Sequence, residues 1–191
     1  MPKVVDHAER RRELVEAIWK VIAEDGIESL TMRRVASAAG CTTGRISHYF
    51  SNREELLSSA LSAAHDKAEG RMIAIAKTAL PARERLKLVA YEGLPLDAAR
   101  LREWKVWIVF WAAATSSSSL SDHNKARYRG WRNLLLRLFA DIESLSKSDS
   151  ETHVDELLAL IDGLGLRVAL DPSASLRKLA RKTIDEYVAR L

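Results

Sequence analysis

Residues Ser29 to Asn52 read SLTMRRVASAAGCTTGRISHYFSN, two short helical patterns hinged at Ala39-Gly40-Cys41. The first opens at Thr31, a residue type that caps helix N-termini, and sets Val35, Ala36 and Ala39 at helical spacing. Gly40 supplies a left-handed backbone position at no steric cost, and Cys41 behind it acts as a small apolar plug. The second pattern opens at Thr42, another capping type. At ~100° per residue, Ile46 and Phe50 share a face with Thr42 and, more laterally, Tyr49. Gly44 and His48 fall opposite Ile46, with Arg45 and Ser47 on the flanks. Glycine weakens a helix, so its place on the outward face calls for a reason, and close approach of a large partner is one. Two helices, a short glycine turn and a donor-rich second helix describe a helix-turn-helix whose second helix enters the DNA major groove.

Leu30-Thr31, Val35-Ala36, Ala39-Gly40, Gly44, Phe50 and Leu56 sit where the TetR family of bacterial repressors carries its DNA-binding signature, and the chain resembles that family. Ser47 departs from it where Tyr is frequent, and Arg53 where Lys is usual. The Ile46-Ser47-His48-Tyr49-Phe50 form and the opening Met1-Pro2-Lys3-Val4 resemble the choline-responsive BetI branch. So do the Trp-x-x-Phe-Trp run at Trp107–Trp111 and Leu160-Ile161-Asp162-Gly163-Leu164-Gly165-Leu166-Arg167. The resemblance implies an all-α protein. It divides the chain into a helix-turn-helix domain over 1–52 and a helical ligand-binding and dimerisation domain over 53–191.

Composition sets the outer bounds. The 191 residues, 47% hydrophobic and 29% charged, describe a globular chain able to bury a substantial core, and no alternating β-rich run is visible. The net charge of +4 is compatible with a polyanionic partner. Residues 1–56, however, hold nine Lys/Arg against nine Asp/Glu, so any positive field there depends on placement. One cysteine excludes an intramolecular disulfide framework. Neither a signal peptide nor a membrane-length apolar run is visible, and a cytoplasmic location is expected.

Arg10-Arg11-Arg12 opens a helix with Leu14, Ile18, Val21 and Ile22 on one stripe, stopped by Asp25-Gly26. The arginines read equally as a solvated face or as phosphate contacts. Ser51 or Asn52 caps a fourth helix running through Leu56, Leu57, Ala60, Leu61 and Ala64. A helical region from Pro81 to Arg100 buries Leu86, Val89, Tyr91 and Leu94, with Pro95 ending or kinking it. Leu101 to Thr115 sets Trp104, Trp107, Ile108 and Trp111 on one stripe. Asp122 is the expected cap of the next helix, Ser144–Ser150 a polar connector, and Glu151–Leu170 an apolar helix. Asp171-Pro172 is the expected start of the last.

The tryptophan stripe has two readings. It is core, or it is a cage for an organic cation, which ring faces attract by about 0.5–2 kcal/mol per contact. Trp104, Trp107, Phe110, Trp111 and Trp131 are the cage candidates, with Glu92 or Glu103 as the anion. Choline, betaine aldehyde, a polyamine or another cationic amine suits such rings. The two C-terminal helices, through Leu157, Leu160, Ile161, Leu164, Leu176, Leu179, Ile184 and Tyr187, are the homodimer candidate. Gly163 and Gly165 inside an apolar helix read as a close helix–helix approach or as a locally weak helix.

The leading reading is a ligand-responsive repressor. It binds a palindromic operator as a dimer and is released by a small molecule. Base-edge contact falls to Thr43, Arg45, Ser47 and His48, and phosphate contact to Thr31, Thr42, Tyr49 and Arg53, with Gly44 admitting the backbone. Two alternatives stand beside it: a helical cation-binding protein without DNA function, and a TetR-type regulator of efflux answering a lipophilic or neutral ligand. An enzyme is disfavoured. His7, His48, His65, His123 and His153 lack paired metal-ligand spacing, no phosphate-cradling glycine loop is present, and neither metal nor cofactor is expected.

Overall fold

The structure is a computed structural model that describes residues 7–191, without the side chain of Lys147. Met1–Val4 therefore lie outside the described residues. The chain runs α1 (His7–Asp25), a 3₁₀ turn (Ile27–Ser29), α2 (Met32–Ala38), α3 (Thr43–Tyr49), α4 (Arg53–Ala76), α5 (Ala82–Glu92), α6 (Ala98–Ala114), α7 (Ser118–Ala140), α8 (Lys147–Leu170) and α9 (Ala174–Ala189). No strand occurs among the described residues.

Local chemistry sets the ends of the first four helices. Gly26 and Gly40 adopt φ of 78° and 63°, the left-handed region in which a side chain is strained. At Gly40 the turn is a Schellman motif: Gly40 N–H bonds the Ser37 carbonyl at 3.2 Å and Cys41 N–H the Ala36 carbonyl at 2.9 Å. Thr31 and Thr42 accept from the N–H groups of Arg34 and Arg45, and Asn52 accepts from Glu55 N–H. Each loss of such a cap costs about 1 kcal/mol.

Further along, the helix starts differ from expectation. Ser117, not Asp122, caps α7, because the serine run reaches Leu120 N–H first. The 144–150 segment is only partly a connector: Ser146 and Asp149 form a capping box, and α8 begins at Lys147. Asp171 closes α8 by bonding the Arg167 carbonyl, and Ser173 caps α9. The region after Pro81 divides at Gly93. α5 stops there, and Asp97 caps α6, so Ala98–Arg100 join the tryptophan helix.

Two apolar clusters fill the molecule. The first joins α1, α2, α3 and the N-terminal half of α4 to Val106, Phe110 and Leu120. Trp19, overlooked in the sequence, belongs to it and donates to the Ala60 carbonyl at 3.0 Å. The second joins Met72 of α4 to α5, α7, α8 and α9. The packing thus divides inside α4, and one unbroken helix enters both clusters.

The dimer expectation needs correction at the residue level. Leu157, Ile161 and Ile184 are fully buried in the second cluster, and Leu164 is nearly so, which leaves them nothing to offer a partner. Leu160, Leu176 and Tyr187 are half-buried, and Leu179 is 41% exposed. The outward apolar residues are Leu166, Leu170 and Leu179.

The glycines of α8 also separate. A Cβ on Gly163 meets nothing within 4 Å, whereas one on Gly165 would lie 2.0 Å from the Trp104 ring. Gly165 is there for an indole of the same chain. The ring is fixed further by its N–H bond to the Gly93 carbonyl at 3.1 Å. Gly165→Ala is expected to destabilise the fold by about 1–3 kcal/mol through overpacking. Gly70→Ala, on an exposed turn of α4 with open space around it, is expected to stabilise by up to about 1 kcal/mol. Denaturant unfolding of both variants checks this, and equal stabilities would refute the packing role of Gly165.

Candidate nucleic-acid interface and effector pocket

In α3, Thr43, Gly44, Arg45, Ser47 and His48 are exposed along with the capping Thr42, while Ile46 and Phe50 are buried. Nothing approaches the position of a Gly44 Cβ closer than Thr42 Oγ1 at 4.0 Å. The expected reading face is therefore presented to solvent on a helix held from behind. Tyr49 is half-buried, its ring centroid 5.2 Å from both His48 and His7, which links the start of α1 to the end of α3.

The cations around this helix are largely committed elsewhere. Arg53, expected at a phosphate, donates from Nε to the Leu30 carbonyl at 3.2 Å and from Nη2 to the Ile27 carbonyl at 2.9 Å. It clamps the 3₁₀ turn to α4 while staying exposed. Arg34 pairs with Asp25, Arg10 with Glu13, and Arg11 reaches Ser59 Oγ at 2.7 Å while lying over the Phe50 ring. Arg12, Arg33 and Arg45 stand exposed. Thr31 is exposed too, its hydroxyl oxygen serving as the α2 cap.

A cavity of about 60 Å³ lies between α4, the end of α5, α6, α7 and α8, and it brings together Glu92, Glu103, Trp104, Trp107, Trp111 and Trp131. Trp104 and Trp111 meet edge to face at 5.6 Å, and Trp107 lies 6.2 Å from Trp111. Phe110 is absent from this wall. It is fully buried with Val106 in the first apolar cluster, on the other side of α6, so its ligand role is withdrawn.

The two glutamates line the cavity, but Arg71 occupies them. It forks onto Glu103 at 3.0 and 2.7 Å and reaches Glu92 from Nε at 2.6 Å. Arg100 takes the other Glu92 oxygen at 3.0 Å. The fork to Glu103, and after it the bonds to Glu92, hold the Arg71 guanidinium in its charged form well above its ordinary range.

Three further residues of the wall were not singled out as ligand contacts. Asp162 accepts from the Tyr128 hydroxyl at 2.5 Å through one oxygen, while its other oxygen is buried without a partner. Burial raises the Asp162 carboxyl above its usual range, against the lowering effect of the Tyr128 bond. Burial, followed by the Asp162 bond, raises the Tyr128 hydroxyl. His65, 6.0 Å from the Trp107 ring, has its pKa lowered by burial and then by Arg127. An acid set among the leucines of Leu160–Leu166 was the visible sign for Asp162. Among the described residues no group of His, Cys, Asp and Glu is arranged to hold a metal ion, and no helix is long and apolar enough to cross a membrane.

A capped helix-turn-helix joined by one helix to a helical domain with an aromatic-lined cavity is the architecture of a helix-turn-helix DNA-binding protein. Residues 14–60 match the family model of the bacterial regulatory proteins of the tetR family, and residues 82–191 match the C-terminal model of BetI-type transcriptional repressors. The chain belongs to the TetR family and is a transcriptional regulator of BetI type. It is 33% identical to the HTH-type transcriptional regulator PksA of Bacillus subtilis, over 98% of this chain and 92% of that one. It is 30% identical to BetI of Escherichia coli O45:K1, over 100% and 97%. A regulator from Saccharomonospora viridis, solved in complex with choline, superposes with a TM-score of 0.86 at 25% identity, covering 96% of this chain and 97% of that one.

Removing Arg71 strands a carboxylate, Glu103, whose side chain is 7% exposed. Arg71→Met is expected to cost about 2–3 kcal/mol, discounted because the arginine itself is partly exposed. Adding Glu103→Gln is expected to recover much of that loss. Urea unfolding of the single and double variants checks this, and a single variant as stable as wild type would remove Arg71 from its structural role.

Proposed function

We propose that this regulator is a repressor that binds a two-fold operator as a homodimer and is released by a small organic cation, choline among them, in the aromatic pocket. The observation that carries this reading is the exposed face of α3, where Thr43, Arg45, Ser47 and His48 stand on a helix whose apolar side is wholly buried. Arg45 is suited to a guanine through its two-pronged geometry. Thr42, Thr31 and Tyr49 are assigned to phosphates, which position the protein without reading sequence.

The cation reading is supported by three indoles meeting in one cavity, by the resemblance to the BetI branch and by the choline named for the Saccharomonospora viridis structure. The dimer reading is supported by Leu166, Leu170 and Leu179 exposed on α8 and α9. A second copy covering them in a two-fold arrangement sets two recognition helices side by side, as successive major grooves require. Release requires the effector to bind more tightly to the form that cannot hold DNA.

Arg45→Ala is expected to weaken binding to an operator selected from random duplexes by about 1–3 kcal/mol and to relax preference at one base pair. Fluorescence anisotropy against a panel of operator variants at physiological salt reads both effects. Unchanged affinity across the panel would overturn the base-reading role. Leu166→Glu combined with Leu170→Glu is expected to give a monomer by sedimentation and to abolish operator binding. A stable dimer would move the interface elsewhere.

A further inference from the structure

We infer that Asp162 is the specificity residue of this pocket, its unpartnered oxygen accepting the hydroxyl of the cation proposed above. The inference deepens the cation reading above and rests on it. It starts from which charges in the wall are already balanced. All four oxygens of Glu92 and Glu103 accept from Arg71 or Arg100. Glu69 is largely outside, 43% exposed and 3.6 Å from His65, and Arg127 pairs with Asp66 at 3.2 Å. Asp162 has no cation, only the Tyr128 hydroxyl on one oxygen, and its second oxygen is buried and unpartnered.

A buried polar atom without a partner is costly, and such atoms are few in folded proteins. Four of the five such side-chain atoms among the described residues lie around one space, the fifth being Arg177 Nε on α9. Besides the Asp162 oxygen, the indole N–H groups of Trp111 and Trp131 are buried without acceptors, and so is the side-chain oxygen of Asn124. Trp111, Tyr128 and Asp162 line both the inner cavity and a wider outer cleft, so they form the neck between the two.

The four atoms specify a ligand. The carboxylate demands positive charge nearby and a hydrogen-bond donor on its unpartnered oxygen. The indoles demand an acceptor while offering ring faces to a cation. A hydroxyl meets both polar demands, donating to Asp162 and accepting from an indole, with the ammonium held against the rings. A quaternary amine without a donor leaves the Asp162 oxygen unpaired. A carboxylate-bearing betaine sets like charges together.

The test is calorimetry with choline, its O-methyl ether, glycine betaine and the uncharged isostere 3,3-dimethyl-1-butanol, on wild type, Asp162→Asn and Trp107→Ala. Choline is expected to bind wild type about tenfold or more tightly than the ether, since a hydrogen bond to a charged group is lost, and glycine betaine to bind more weakly still. Asp162→Asn is expected to lose about tenfold or more for choline. It is also expected to raise the melting temperature at neutral pH, because the ionised carboxylate is disfavoured where it sits. A merely structural acid would lower the melting temperature instead. Choline binding that falls with Trp107→Ala but not with Asp162→Asn, or an ether that binds as well as choline, overturns this inference and leaves the cation reading intact. An uncharged isostere that binds as well as choline, or no binding by any of the four, overturns both.

Discussion

The guanidinium of Arg71 ties α4, the helix that enters both apolar clusters, to the wall of the pocket. It projects from α4 onto Glu103 of α6 and Glu92 of α5. α4 is the helix whose other end packs beneath the helix-turn-helix, through Leu56, Leu57 and Ala60. A contact to a charged, mostly buried carboxylate is worth more than one in water, so Arg71 fixes the C-terminal half of α4 to the pocket wall. The wall of the pocket and the support of α3 therefore share one helix.

Electrostatics at the DNA end is a matter of subtraction. The sequence count of nine cations against nine anions in residues 1–56 promised no bulk field. The structure removes more, because Arg10, Arg11, Arg34 and Arg53 are engaged within the protein. Arg12, Arg33 and Arg45 stay exposed, so a positive field at this end comes from a few placed side chains.

Much of this was legible in the chain. Threonine caps and a left-handed glycine are local signals, and Thr31, Gly40 and Thr42 do in the structure what their chemistry implies. The stripe of Trp104, Trp107 and Trp111 was legible for the same reason. What periodicity withholds is the identity of the neighbour. α6 is apolar on two faces, so Phe110 was grouped with the tryptophans although it faces the other core. Leu157, Ile161 and Ile184 looked available to a partner because a one-dimensional pattern does not say that α5 and α7 already cover α8 and α9 within the same chain. Glu92 and Glu103 were legible as acids near rings, but their pairing with Arg71 spans 21 and 32 residues of sequence. Asp162 was quoted only inside a family motif, since an unpartnered oxygen is a property of a packed interior.

One helix shared by pocket and reading helix implies that the two are coupled. The direct measurement is the affinity of choline for the protein alone and for the protein saturated with operator, by calorimetry. Linkage requires the two to differ by the same factor by which choline changes operator affinity, about 5- to 150-fold for ordinary couplings. Weaker choline binding to the operator complex is expected. Equal affinity for the two forms would contradict it.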